Sequence, residues 1–106
     1  MGVFIYGSNT RLSIDDRTLA HLEVVIGSKL RRGESFMFMW PRDTSEGGGR
    51  ACVWINRASQ LAYRYRGDAR SRINPGWIEL LTSAANSPQG LHLVAEPDGE
   101  RAAALG

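Results

Sequence analysis

Hydrophobic and polar positions along the chain follow two different periods. The runs Val3–Tyr6 and Arg11–Ile14 read as short strands, and Gly7-Ser8-Asn9-Thr10 between them supplies turn residues, which predicts a hairpin. After Ile14 the period changes. At ~100° per residue, Leu19, Leu22, Ile26 and Leu30 fall within one narrow arc, predicting an amphipathic helix over Arg17–Arg32. Asp15 and Asp16 offer N-caps, and Gly33 suits the left-handed position after the helix. The opposite arc holds Arg17, His21, Ser28, Arg31 and Arg32, with Ala20, Val24 and Gly27 among or beside them, which places His21 on the solvent side.

Three further strands are expected. Phe36–Trp40 is apolar at every position, the pattern of a central strand covered on both faces. Ala51–Ile55 is similar, with Cys52 as a small buried hydrophobe. Leu61–Arg66 alternates, with Leu61, Tyr63 and Tyr65 on one face and Ala62, Arg64 and Arg66 on the other. The segment Pro41–Arg50, charged and ending in Gly47-Gly48-Gly49-Arg50, reads as a mobile hairpin loop. A second helix is announced by Asn74 as N-cap, Pro75 at the first helical position and an Ile73/Ile78 hydrophobic staple. Trp77, Ile78, Leu81, Ala84 and Ala85 form its core face, and Pro88 stops it near Asn86. A last strand is expected at Leu91–Ala95. The sum is an α+β fold of order ββαβββαβ, a mostly antiparallel sheet with two amphipathic helices packed on one face. Residues 1–97 are expected to form a single domain and 98–106 a flexible C-terminal tail.

Composition narrows the class. At 106 residues, 42% hydrophobic and 23% charged, the chain fits one globular domain and is too apolar for wholesale disorder. No apolar run approaches membrane-spanning length, and the first residues lack the basic region of a signal peptide, so a cytoplasmic protein without membrane partners is expected. The formal net charge is only +2, yet of 13 basic residues only Lys29 is lysine. Arginine binds phosphate well because its planar fork engages two oxygens at once; codon usage in a GC-rich genome would produce the same excess.

Enzymatic constellations are sparse. His21 and His92 are the two histidines, no Gly-x-Ser-x-Gly elbow is present, and no His, Cys or carboxylate spacing suits a metal, so no catalytic residue, cofactor or metal ligand is expected. The Gly47–Arg50 run lacks the lysine and the following helix of a P-loop. Nucleic acid is the partner class with the most material. Arg17, His21, Arg31 and Arg32 share a helix face, Arg64 and Arg66 share a strand face beside Tyr63 and Tyr65, Arg50 closes the glycine loop, and Arg70 and Arg72 follow. Such residues suit contacts to a DNA or RNA backbone. A homodimer built on a sheet edge or on the helix face bearing Val24 is the other interaction class.

The blocks Ile5-Tyr6-Gly7, Ile14–Leu22, Lys29–Phe36 and Ala85–Leu91 resemble a family of small actinobacterial proteins of unknown function that often carry the label ATP-dependent DNA ligase. The resemblance implies nucleotidyl transfer, for which Lys29 is the one candidate lysine. Lys29 is followed by Leu30-Arg31-Arg32-Gly33, where a ligase has Lys-x-Asp-Gly, and 106 residues are too few for a complete ligase. The reading from residues is therefore a small non-enzymatic binding module associated with nucleic acid.

Overall fold

The structure is a computed structural model that describes residues 1–67 and 72–97; Arg70 and the expected tail at 98–106 lie outside the described residues. The α+β class is as expected. β1 (Gly2–Tyr6) and β2 (Thr10–Ile14) form the hairpin, with Gly7 in the left-handed region. α1 covers Asp16–Arg31. Asp15 caps it by accepting the Thr18 N–H, and Gly33 leaves it at φ 73°. Next come β3 (Phe36–Pro41), a short 3₁₀ turn at Thr44–Glu46, β4 (Arg50–Ile55), β5 (Leu61–Arg64) and α2 (Pro75–Ala85). Asn74 caps α2, and Pro75 takes the first turn.

The strands divide into two sheets where one was expected. One has the order β2-β1-β5 and the other pairs β3 with β4, all antiparallel. The Asn56–Gln60 turn explains the division. Asn56 Oδ1 accepts the Ala58 N–H and Ser59 Oγ accepts the Asn56 N–H, folding the chain so that β5 reaches β1 and leaves β4 unpaired on one side. Phe4 of one sheet meets Phe38 and Trp40 of the other edge to face, at centroid distances of 5.4 and 6.2 Å. The Tyr6 hydroxyl donates to the Trp54 carbonyl at 2.7 Å, tying the sheets together at a second point.

This two-strand sheet corrects two expectations. β3 alternates, with Phe36, Phe38 and Trp40 buried and Met37 and Met39 half-buried, so it is not covered on both faces. β4 turns Ala51, Val53 and Ile55 inward and Arg50, Cys52 and Trp54 outward, which leaves Cys52 exposed rather than in the core. Alternation is a property of any strand; among the described residues no further layer covers the outer side of this one. The last predicted strand contracts to a parallel bridge between Phe38 and Leu91, with Leu91 N–H donating to Met37 O and Met39 N–H to Leu91 O.

α1 buries more than the predicted stripe. Leu19, Leu22 and Ile26 are buried as expected, and His21, Val25 and Lys29 are buried as well, at a spacing of four. His21 meets Asn74 and Trp77 at the start of α2, and Lys29 meets Asn86 at its end, so the helices run side by side in the same sense. Among the described residues, no helix is long and apolar enough to cross a membrane.

Candidate anion-binding cleft

The arginines expected to act together are separated. Arg17 is held internally: Nε and Nη2 engage both carboxylate oxygens of Glu96 at 2.7 and 2.6 Å, and Nη1 donates to the Arg72 carbonyl. His21, expected at the surface, is fully buried because α2 packs over its side of α1. The ring lies 4.4 Å from Trp77, with Nδ1 at 2.8 Å from the Arg17 carbonyl oxygen and Nε2 accepting the Asn74 N–H at 2.9 Å. Asn74 Nδ2 donates to Glu96 in turn, so these four residues form one polar knot. A shallow groove of about 400 Å³ beside Asp15, Arg17 and Glu96 holds two carboxylates against one cation, and that cation is engaged by Glu96. The Arg17 and Asn74 donors hold the Glu96 carboxyl down at about 2.

Arg31 and Arg32 are exposed at the C-terminal end of α1, where cations suit the helix dipole. Arg64 and Arg66 are exposed at the other end, where the amides of Arg66 and Gly67 donate to Asp16. A helix of 16 residues separates the pairs by ~24 Å. Lys29 is buried, with Nζ bonded to Asn86 Oδ1 at 2.5 Å and paired with Glu34 at 3.0 Å. That ion pair draws the Glu34 carboxyl below its ordinary range.

A different set converges. The β1–β2 turn and the open side of the β3–β4 hairpin enclose a cleft of about 330 Å³ lined by Arg11, Arg42 and Arg50, with Asn9, Trp40, Glu46 and Cys52. Three arginines thus line the cleft against one glutamate. Hairpin closure brings Arg42 and Arg50 together: Pro41 and Arg50 are cross-strand partners, and Arg42 N–H donates to Gly49 O. The loop is shaped by Gly47, Gly48 and Gly49, all with φ between 72° and 101°, where side chains are disfavoured. Its Gly47 and Gly48 amides are satisfied by Thr44 and Asp43 carbonyls, so the arginines, not a glycine cradle, supply the anion chemistry. Arg42 Nη2 also donates to the Glu46 carbonyl, which holds it toward the loop. Among the described residues, Arg11 and Arg50 have no hydrogen-bond or ion-pair partner, leaving both forks available.

Of the residues expected to bind nucleic acid, the cleft contains Arg50; Arg11 and Arg42 are additions. A detectable signal existed for the latter, since two arginines bracket the loop and hairpin pairing necessarily joins its ends. Among the described residues, no three His, Cys, Asp or Glu side chains are grouped to hold a metal ion.

The molecule is thus a small α+β protein with a cationic cleft between its two sheets. It belongs to the family described as domain of unknown function DUF7882, whose pattern matches residues 1–96. No curated protein and no solved structure matches the chain.

Proposed function

We propose that the protein is a non-enzymatic module that binds nucleic acid, gripping the phosphate backbone between Arg11, Arg42 and Arg50. The observation that carries this is that three arginines, Arg11, Arg42 and Arg50, line one cleft in which Glu46 is the one acidic lining residue. Phosphate suits this arrangement because planar guanidinium forks satisfy its oxygens in pairs. Arg17 and His21 act in folding, while Arg31 with Arg32 and Arg64 with Arg66 lie outside the grip. Lys29 gives nucleotidyl transfer no support, since its amine is engaged by Asn86 and Glu34 and would have to leave both to attack a nucleotide.

Fluorescence anisotropy with a labelled oligonucleotide tests the proposal. Binding should weaken as salt rises, with a log–log slope of about −2 for three single-strand phosphates. Each of Arg11→Ala, Arg42→Ala and Arg50→Ala should weaken it roughly tenfold, or about 1.4 kcal/mol. Undiminished binding by the triple variant would refute the cleft as the site.

A further inference from the structure

Two residues that line the cleft, Arg50 and Cys52, also stand on the outward face of β4. Arg50, Cys52 and Trp54 point to the same side, and Trp54 is 51% exposed, whereas Trp40 and Trp77 are each 4% exposed. Across the sheet, Pro41 pairs with Arg50, Met39 with Cys52 and Met37 with Trp54. The result is a strip with a cation at one end and an indole at the other. Three residues lie between them, a span of ~14 Å along the strand, the length of about four stacked nucleotides at ~3.4 Å each. The Trp54 backbone is fixed, since its carbonyl accepts the Tyr6 hydroxyl and the neighbouring Ile55 side chain is buried.

We propose that this face makes the protein selective for single-stranded nucleic acid, with an unpaired base stacked on Trp54 while the cleft holds a phosphate at Arg50. The selectivity rests on the cleft reading and adds the strand class to it. In a duplex both faces of each internal base are already stacked, so an indole standing on a sheet gains nothing from it. A single strand offers a free base face, and stacking tolerates any sequence. Met37, half-buried and directly opposite, provides apolar surface beside the same base. Continuity with three arginines favours a polyanionic occupant over a second copy of this cationic surface.

Titration of the full chain with an oligothymidylate, with a duplex of equal length and with inorganic polyphosphate separates the possibilities. The single strand is expected to bind at least tenfold more tightly than the duplex and to quench tryptophan fluorescence, Trp54 being the exposed indole. Trp54→Ala should weaken single-strand binding by between about 5- and 150-fold. It should leave polyphosphate binding unchanged, and Trp54→Phe should restore most of the oligothymidylate affinity. Equal binding of single strand and duplex, or wild-type oligothymidylate affinity in Trp54→Ala, would overturn the selectivity and leave the cleft standing. Failure of the wild-type protein to bind any of the three polyanions would overturn both. A dimer in sedimentation that Trp54→Ala dissolves would assign the face to a second copy instead.

Discussion

The imidazole of His21 accepts the backbone N–H of Asn74 at Nε2 and faces the Arg17 carbonyl oxygen with Nδ1. A backbone N–H can only donate, so Nε2 is bare and the ring proton sits on Nδ1, where it donates to Arg17. One buried side chain therefore joins the first turn of α1 to the N-cap of α2.

Removing both bonds while keeping a ring against Trp77 isolates that link. His21→Phe is expected to lower unfolding free energy by about 1–3 kcal/mol, because the Asn74 amide loses its partner. Asn74→Ala should cost about 1 kcal/mol through loss of the cap. Urea denaturation of both variants checks the values.

Acid should weaken the same region. Bonds from Arg17 and Asn74 hold Glu96 at about 2 in the folded chain, below its ordinary 4.5. A depressed carboxylate contributes stability that is complete above about 4.5 and is lost as pH falls through about 2. Asp16, kept low by the amides of Arg66 and Gly67, acts in the same direction. Asp15 does too: the Thr18 hydroxyl and amide outweigh the desolvation that burial imposes on it. Stability measured between pH 5 and 2 should therefore fall steadily, and Glu96→Gln should flatten the decline.

Lys29 combines a buried stem with an engaged amine. Lys29→Met keeps the stem and removes the charge, whereas Lys29→Ala removes both. The alanine variant should be the less stable, by about 1–3 kcal/mol relative to wild type, with methionine between. Both should retain oligonucleotide binding, since Lys29 lies outside the cleft lining.

Gly90 sets the path into the Leu91 bridge. Its φ is +86°, and a Cβ there would stand 2.7 Å from the Met37 carbonyl oxygen and 2.8 Å from the Met37 Cβ. Gly90→Ala adds left-handed strain to that clash and should cost about 2–4 kcal/mol in thermal or urea unfolding.

Local chemistry made much of the fold legible. The Gly7 turn, the Asp15 and Asn74 caps, Pro75 and the stop near Asn86 each depend on a few neighbouring residues, and each is found where expected. What depended on distant packing was not legible. The sequence of α1 shows one apolar arc with His21 opposite it, and only the presence of α2 creates a second buried side through His21, Val25 and Lys29. Cys52 and Met39 looked buried because an apolar run does not reveal whether a layer will cover each face. Of the cleft, Arg50 alone stands out in the sequence as a candidate; Arg42 joins it through hairpin pairing that the loop-bracketing arginines could have signalled, and Arg11 arrives through the packing of one sheet against the other.

The most direct test of the arginine grip is an NMR titration with a short oligothymidylate that follows backbone amides and arginine Nε–H groups together. The cleft predicts the largest shifts at Arg11, Arg42 and Arg50, weakening as salt is raised, with Arg31, Arg32, Arg64 and Arg66 nearly unchanged. Shifts centred on either end of α1, or none at the cleft, would contradict it.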